Sequence, residues 1–450
     1  MDILIDSGSY HCLNVGDVAM LQAAIERLRD LWPHASIAAV TNAPGTLARH
    51  CPGVQPVPLA GRVAFLSDRL LGRADPFLPH ALRETLSGVE RRMRRDWPLG
   101  LASFVAAKRA LVCRPDYAAP RTYIAALLRA DLVVATGAGV FTDAFADNAF
   151  GVLTTLELAQ KRRIPTALMG HGLGPVGDAT LKQRMAEVLP QVDLVGLREH
   201  SESARLLESL NVSSDRVVVT GDDAIEMANR CARPEPGGVI GVNIRVSGYA
   251  GVDRRAIDVI RPAVRRAAAR LAAPLVPIPI AHHPDCHDGV AICELLTADV
   301  AEPMTPAELD TPLAAITEVS RCRVMVTGSY HAAVFALAQG IPAVAIAATP
   351  YYAQKFSGLA ALFPSGCEIV ALDQPDASRR LESAMCRAWT NAPRLRPHLL
   401  RAADAQIAQG RAAYRRLGVL AEASCAGAPA LSEIRRYSAS IPSGRESWTE

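Results

Sequence analysis

The regular alternation of short strand-like segments with longer helix-like segments constrains the fold of this chain more than any other feature. In the first half, apolar and β-branched segments end in turns rich in Gly, Asn or Asp, and most are followed by an amphipathic segment of helical length. The strand-like segments are 2–6, 36–41, 131–136, 165–169, 193–197 and 216–220. This rhythm is typical of βαβ units around a parallel sheet.

A second series of the same kind follows a break. Residues 231–238 read CARPEPGG, a density of Pro and Gly that interrupts any helix or central strand. With 450 residues, the chain is also too long for one ordinary core. We predict an α/β fold with two Rossmann-like domains facing a cleft. The predicted domains are 1–234 and 235–393, with a helix over 394–420 crossing back to the first.

Residues 61–130 do not follow the rhythm. They have a mostly helical pattern interrupted by prolines, and they hold thirteen Lys and Arg against six Asp and Glu. We predict a helical insertion in the first domain. Basic helices with an aromatic residue at a break, here Trp97, can rest on an anionic membrane surface. The segment can also be a solvated face whose Trp and Leu residues pack on the first domain, or a basic rim for an acidic or lipid-linked acceptor.

Other global features indicate a cytoplasmic protein. The net charge of +3 does not indicate a nucleic-acid partner. The N-terminal segment lacks the basic region of a signal peptide, and no segment has the roughly 18 uninterrupted apolar residues of a membrane span. Ten scattered cysteines without a CxxC pair suggest buried thiols in a reducing compartment. Residues 421–450 are polar, and we expect them to be poorly ordered.

No Cys/His cluster and no carboxylate pair with metal-site spacing occurs in the chain. We therefore expect no resident metal and no other cofactor, and activity without a divalent ion.

Several loops after predicted strands carry glycines and polar residues, as ligand sites in α/β proteins do. They contain Asn14, Gly16 and Asp17; Gly137, Gly139 and Asp143; and His171 and Gly172. The first loop opens a helix, whose free N–H groups suit an anion. A simple cap by Asp17, a tight turn or polar surface explains these loops as well.

Two further segments favour an anionic ligand more strongly. Arg198 lies between a strand and a helix N-terminus, where a cation is unfavourable, so it needs Glu202 or a ligand phosphate or carboxylate as partner. In the segment 327–342, a strand ends at Thr327, Ser329 can cap the next helix and His331 falls in its first turn. A histidine there can bind or protonate a phosphate-bearing ligand.

Together and in this order, these motifs resemble the polysaccharide pyruvyl transferase family over about residues 1–365. They are the Asn-x-Gly-Asp turn, the Gly-rich loop ending at Asp143, the Gly-x-Gly-x-Gly-Pro loop, the segment 198–203 and Gly-Ser-x-His…Ala-x-x-x-Gly-x-Pro. The resemblance implies a glycosyltransferase-B-like fold, and transfer of pyruvate from phosphoenolpyruvate to sugar hydroxyls of a polysaccharide or glycolipid as a ketal. It points most directly to Arg198 and His331. Two positions differ: Tyr330 stands where the family often has Arg, and His171 where it often has Gln.

Phosphoenolpyruvate carries a phosphate and a carboxylate, so its site needs several cationic or N–H donors. We assign donor binding to Arg198, Arg245, Ser329, His331 and Lys355. His331 is the first candidate for acid or base catalysis, followed by Asp17 and Asp143. The residues assigned to the acceptor or to loops are Asn14, Gly16, Gly137, Gly139, His171 and Gly172.

Two other functions are compatible with the pattern. A nucleotide-sugar glycosyltransferase of the same architecture often carries a ribose-binding Glu where this chain has Phe335, which cannot accept those hydrogen bonds. A non-catalytic binding member of the family is the second alternative, and Tyr330 in place of Arg is the feature that suggests it.

Overall fold

The computed structural model describes residues 1–68, 79–137, 139–245, 254–284, 286–296 and 309–425. Within these ranges the chain forms two parallel sheets, of seven and five strands, with helices between successive strands. A two-stranded antiparallel ribbon, in which His282–His283 pairs with Cys286–His287, adds to them. No helix in these ranges is both long and apolar enough to cross a bilayer.

The first sheet contains the strands before residue 220, in the spatial order β3-β2-β1-β4-β5-β6-β7. They are β1 (Asp2–Asp6), β2 (Ser36–Thr41), β3 (Gln55–Pro58), β4 (Leu132–Thr136), β5 (Thr166–His171), β6 (Leu194–Leu197) and β7 (Val217–Val219). β4 and β5 are buried along their whole length, as expected for parallel strands covered on both faces. β3 was not predicted, because Pro56 and Pro58 suggest a break. It lies at the sheet edge, where a missing N–H is tolerated.

The helices of this half surround the sheet and include the basic segment. They are α1 (Val15–Leu31), α2 (Pro44–His50), α3 (Leu59–Ser67), α4 (His80–Asp96), α5 (Pro98–Leu111), α6 (Ala119–Arg129), α7 (Ala146–Lys161), α8 (Ala179–Val188), α9 (Ser201–Ser209) and α10 (Ala224–Asn229). The described part of segment 61–130 is thus helical. A buried ion pair of 2.5 Å between Arg62 of α3 and Asp6 of β1 holds it to the sheet.

The second sheet has the spatial order β14-β13-β12-β8-β9. Its strands are β8 (Val239–Asn243), β9 (Leu275–Pro277), β12 (Cys322–Thr327), β13 (Ala343–Ala347) and β14 (Cys367–Ala371); the ribbon is β10 (His282–His283) and β11 (Cys286–His287). The accompanying helices are α11 (Arg254–Leu271), α12 (Asp288–Leu296), α13 (Pro312–Val319), α14 (Tyr330–Ala338), α15 (Pro350–Leu362) and α16 (Ala377–Cys425). All strands before residue 235 join the first sheet and all later ones lie outside it, while the domain division itself stays a prediction.

The C-terminal helix differs from the expectation. We predicted a helix over 394–420 that crosses back to the first domain. Instead α16 begins at Ala377 and runs through Pro393 and Pro397, although proline normally interrupts a helix. Leu381 and Leu399 belong to the core around the second sheet, whereas Tyr414 belongs to the core that contains β1 of the first sheet. α16 therefore contributes to both cores as one continuous helix.

The expected polar tail and buried thiols need correction. Residues 421–425 are the last turn of α16, and residues 426–450 lie outside the described part of the chain. None of the nine cysteines whose side chains are described is in a disulfide, but Cys113 and Cys293 are exposed, so the expectation of buried thiols is wrong for these two.

Candidate active site

A cavity of about 360 Å³ lies between the two sheets, in the range typical of small-molecule sites. In the first sheet the strand order reverses between β1 and β4, and in the second between β8 and β12. Loops that follow these four strands line the cavity, among them Tyr10 after β1, Gly139 after β4, Arg245 after β8 and Ser329 after β12. Both topological switch points, where α/β sheets bind ligands, thus open onto one cavity.

The five residues assigned to donor binding line this cavity together: Arg198, Arg245, Ser329, His331 and Lys355. Arg198 follows β6, His331 lies in the first turn of α14 and Lys355 lies on α15. Arg198, Arg245 and His331 are each exposed by 6% or less. The structure therefore brings residues separated by up to 157 positions in the chain into one buried, cationic group.

Few direct ion pairs hold the positive charge of this group. Arg245 lies 3.5 Å from the buried carboxylate of Asp288. Among the described residues, neither the Arg198 side chain nor the Lys355 side chain has an ion pair or a hydrogen bond. The Arg198 guanidinium instead stacks 4.3 Å from the centre of the Tyr330 ring, and the Lys355 ammonium lies 4.4 Å from that of Tyr351. Buried cations without an anionic partner are costly, so this cavity is suited to an anion.

Glu202, the alternative partner for Arg198, does not fill that role. Its carboxylate pairs with Arg205 at 3.1 Å, one turn further along α9. The interpretation of Arg198 as part of an internal ion pair is therefore wrong, which leaves its charge available to a ligand.

Three of the predicted loop glycines provide space for the cationic side chains. A Cβ atom at Gly16 would lie 2.1 Å from Cγ of His331, one at Gly139 2.9 Å from Nζ of Lys355, and one at Gly172 2.5 Å from Nε of Arg198. Among these three loop glycines, only Gly139 lines the cavity. We predicted that these glycines let a ligand approach the backbone. In the structure, a basic side chain packs against each of them instead.

The loop before α1 is not an anion site. Asn14, not Asp17, caps the helix: its Oδ1 accepts hydrogen bonds from the N–H groups of Gly16 at 2.9 Å and Asp17 at 3.3 Å. The N–H of Val15 donates to the carbonyl oxygen of Ile280 at 2.9 Å. These N–H groups of the first turn already donate to acceptors within the protein. They are therefore not available to bind an anion.

Replacing Asn14 with alanine should destabilise the protein by about 1 kcal/mol, because two N–H groups of the first helical turn lose their acceptor. Chemical denaturation followed by circular dichroism measures this change. Asn14→Ser is the matched control and should lose far less, since serine also caps helices. Equal stability of Asn14→Ala and wild type would contradict the assignment of the cap.

His331 lies between two carboxylates. Its Nδ1 is 3.8 Å from Oδ1 of Asp17, and its Nε2 is 3.7 Å from Oδ2 of Asp222. Burial lowers the pKa of His331 well below its usual range, and Arg198, Lys355 and Arg245 lower it further. The imidazole is thus neutral in the free protein at pH 7, and its protonation depends on the charge that enters the cavity.

Burial also shifts the pKa values of the titratable groups around His331. It raises the pKa of Asp222 to about 7, against the opposing effect of Arg198. It raises the pKa of Asp17, and it lowers the pKa of Lys355 well below its usual range, with Arg198 adding to the lowering. A carboxyl with a pKa of about 7 beside a histidine is suited to proton transfer.

Asp143 and His171 lie apart from this group. Asp143 is exposed, and its two carboxylate oxygens accept hydrogen bonds from the N–H groups of Gly177 and Asp178 at 2.8 and 3.0 Å. His171 is fully buried, with Nε2 3.1 Å from the carbonyl oxygen of Ala135. Neither residue lines the cavity, so Asp143 organises a loop and His171 belongs to the sheet interior.

Gly137 and Ser329 also differ from their predicted roles. A Cβ atom at Gly137 would lie 2.0 Å from Cε of Met20, so this glycine is required by packing. Ser329 lines the cavity, but its side chain makes no capping hydrogen bond to α14, contrary to expectation. Its hydroxyl is therefore available to a ligand in the cavity.

Sequence reasoning missed Asp222. It follows β7 in the sequence Gly221-Asp222-Asp223, its side chain is fully buried, and Oδ2 has no hydrogen-bond partner in the described part of the chain. Adjacent aspartates after a glycine at the carboxyl end of a strand were the available signal. Asp223 has a different role, because it pairs with Arg27 and accepts a hydrogen bond from the Tyr414 hydroxyl at 2.9 Å.

No group of three or more His, Cys, Asp or Glu side chains in the described ranges is arranged to hold a metal ion. The activity without a divalent ion stays a prediction.

Solved structures with a similar fold are sugar-modifying enzymes. A protein from Listeria monocytogenes, solved as a candidate UDP-N-acetylglucosamine 2-epimerase, has a TM-score of 0.54 at 10% identity, over 95% of this chain and 97% of its own. UDP-GlcNAc 2-epimerase from Neisseria meningitidis, bound to UDP-GlcNAc, has a TM-score of 0.52 at 13% identity, over 94% and 100%. S. aureus MnaA with UDP has a TM-score of 0.51 at 12% identity, over 94% and 97%. At these identities the similarity shows the fold, which is of the glycosyltransferase-B type.

The sequence itself gives the family. The sequence model of the polysaccharide pyruvyl transferases matches residues 14–350, most of the chain. The protein belongs to the polysaccharide pyruvyl transferase family and is a transferase, and the resemblance inferred from the motifs is confirmed. No functionally curated protein matches the sequence.

Proposed function

We propose that the enzyme transfers pyruvate from phosphoenolpyruvate to two hydroxyls of a sugar, forming a ketal. The observation that carries the proposal is the group of Arg198, Arg245 and Lys355 around one cavity, two of them without a partner among the described residues. Phosphoenolpyruvate is a small trianion, and three cations match its phosphate and carboxylate. It acts as a co-substrate, and no other cofactor is proposed.

The side of the cavity formed by the first sheet is suited to the acceptor. Asn42 and Asn148 line it and offer amide groups, which can donate to and accept from sugar hydroxyls. We infer that a saccharide, carried on a polysaccharide or a lipid, enters on this side, in the cytoplasmic synthesis of a cell-surface glycan.

The chemistry requires one acid and one base. A proton adds to the methylene carbon of the donor, which becomes a methyl group, and a sugar hydroxyl bonds to the central carbon. The bond from that carbon to the phosphate oxygen breaks, and a second hydroxyl closes the ketal. The two hydroxyls release two protons: one balances the proton on the methyl group and one leaves on phosphate. His331, between Asp17 and Asp222, is our candidate for the proton transfer, and Arg198 and Lys355 for stabilising the departing phosphate.

Phe335 argues against a nucleotide-sugar glycosyltransferase. It is fully buried, in the core around the second sheet, and does not line the cavity. The position that would hold a ribose in that alternative is therefore both apolar and inaccessible.

The proposal predicts saturable binding of phosphoenolpyruvate, and phosphate release that depends on an acceptor. Calorimetry measures the first, and a phosphate assay with a panel of galactosides, mannosides and glucosides measures the second. UDP-sugars serve as the matched control and should neither bind tightly nor compete.

Two other results of these measurements would each support one of the alternative functions. Binding of UDP-sugars without binding of phosphoenolpyruvate would support a nucleotide-sugar enzyme. Binding of phosphoenolpyruvate without transfer to any acceptor would support a non-catalytic binding protein.

A further inference from the structure

The exposed large hydrophobic side chains are concentrated in the helical segment that interrupts the first half. Nine of the eleven among the described residues lie between positions 63 and 117. Trp97 is 61% exposed and Leu111 is 85% exposed. A soluble domain rarely exposes a contiguous apolar surface without a binding partner for it.

The exposed apolar side chains of helix α5 lie on one side of the helix. Leu101, Ala102, Val105 and Ala106 are buried on one side. At 100° per residue, positions 99, 103, 104, 107, 110 and 111 fall in an arc of about 140° on the other side. This arc contains Leu99 (41% exposed), Phe104 (48%) and Leu111, and no charged residue. We call Trp97, Leu99, Phe104 and Leu111 the apolar face.

One interpretation of the sequence was that the Trp and Leu residues of this segment pack on the first domain. For Trp97 and Leu99 that interpretation is wrong, because both side chains are exposed. The indole of Trp97 lies against Gly100, where a Cβ atom would be 2.0 Å from Cε2 of the ring. The ring is held by the start of α5 and yet exposed. A tryptophan fixed at the edge of an apolar surface is typical of the boundary between water and lipid.

In the sequence, arginines come both before and after the residues of the apolar face. Arg91 and Arg92 on α4 and Arg114 after α5 are exposed and have no ion-pair partner within the described ranges. Arg92 lies one turn from exposed Val89 on the same face of α4. Arg94, Arg95 and Arg109 differ, because each pairs with a nearby carboxylate. The unpaired cations are thus next to exposed apolar side chains.

We propose that the apolar face, with Arg91, Arg92 and Arg114, docks onto the surface of an anionic lipid bilayer. The apolar side chains insert among the upper acyl chains and the arginines contact lipid phosphates. Both signals are needed, because either alone gives weak binding.

The charge distribution favours a membrane over a second copy of the chain. A two-fold dimer through this surface would place each patch against a copy of itself, which would bring two sets of Arg91, Arg92 and Arg114 into one interface. Such like-charge contacts are destabilising, whereas an anionic bilayer offers opposite charge along the whole surface.

Helix α3 connects the candidate active site with this segment. Its first residue, Leu59, lines the cavity, and the helix packs against α5. We infer that this packing links the bilayer-bound surface to an acceptor carried on a lipid. This link to a lipid-carried acceptor rests on the proposed function, whereas binding to the bilayer does not.

Vesicle flotation tests the proposal with phosphatidylcholine vesicles, either pure or containing about one third phosphatidylserine. The full chain should float with the anionic vesicles only. Replacing Arg91, Arg92 and Arg114 with Gln should weaken binding about 100-fold, since each arginine near the surface contributes about fivefold. Replacing Trp97, Phe104 and Leu111 with Ser should abolish it. The matched control is Val290→Ser with Leu313→Ser, which removes equally exposed side chains elsewhere and should bind as wild type.

Three results would overturn the proposal: no flotation with anionic vesicles, equal flotation of the patch variants and wild type, or a lower molar mass of the patch variants in light scattering, which would assign the surface to a second copy. Because all replaced side chains are exposed, the variants should keep the wild-type melting temperature. Phosphate release with a water-soluble glycoside should be unchanged in them, so that failure here is distinguishable from failure of the proposed function.

Discussion

Replacing His331 with alanine is expected to reduce pyruvyl transfer by about 100-fold or more, the usual contribution of a positioned acid or base. The histidine lies in the cavity between Asp17 and Asp222, so its loss removes the group best placed to move a proton. Phosphoenolpyruvate affinity should fall much less than the rate. Single-turnover phosphate release and calorimetry measure the two effects separately.

Donor binding to the wild type should also take up protons. Arg198, Lys355 and Arg245 lower the pKa of His331 in the free site. A bound anion offsets their charge and raises that pKa, so a proton is gained on binding and donor affinity falls as pH rises. Calorimetry in buffers with different ionisation enthalpies measures the uptake.

The variant His331→Ala is the control for this uptake. If its proton uptake equals that of wild type, the proton resides on Lys355 or Asp222, and His331 is not the acid. Asp222→Asn distinguishes these two, because it removes the carboxyl whose pKa lies at about 7.

Replacing Arg198 with alanine should weaken phosphoenolpyruvate binding between about 10-fold and 150-fold, the usual cost of a lost charge-assisted hydrogen bond. Arg205→Ala is the matched control. It removes an arginine seven residues later that is exposed and paired with Glu202, and it should bind the donor as wild type does. Arg198→Lys should lie between the two, since it keeps the charge without the planar guanidinium.

Thermal stability separates a ligand-binding role of Arg198 from a structural one. The side chain is 3% exposed and lacks an anionic partner in the described part of the chain, so Arg198→Met should melt at or above the wild-type temperature. Phosphoenolpyruvate should raise the melting temperature of wild type but not of this variant. A large loss of stability in Arg198→Met, with unchanged donor affinity, would show that Arg198 is structural.

The sequence predicted the fold well where the pattern is local. The six strand-like segments of the first half correspond to β1, β2, β4, β5, β6 and β7, because apolar runs followed by Gly-rich turns are direct consequences of a buried parallel sheet. β3 and the start of α16 were missed, since prolines indicate breaks in isolation. A sheet edge tolerates Pro56 and Pro58, and packing against the second sheet keeps α16 helical through Pro393.

The site was predictable to the extent that it lies at strand ends. Arg198, Arg245, Ser329, His331 and Lys355 were identified in this way. Asp222 was not, because its importance lies in its distance from His331, which is 109 positions away in the chain. The roles of Gly16 and Gly172 were also not readable, since the side chains that occupy their space, His331 and Arg198, come from distant elements.

The continuity of α16 limits how far the cleft can open. Between Ala403 in one core and Ala413 in the other, about nine residues cross as an unbroken helix, a length of roughly 14 Å. Helices that keep their hydrogen bonds curve with radii of about 60–100 Å, which over this length corresponds to a bend of roughly 10°. Exchange of substrates and products is therefore compatible with a rocking motion of this amplitude, whereas a wide hinge opening would require this turn of α16 to unwind.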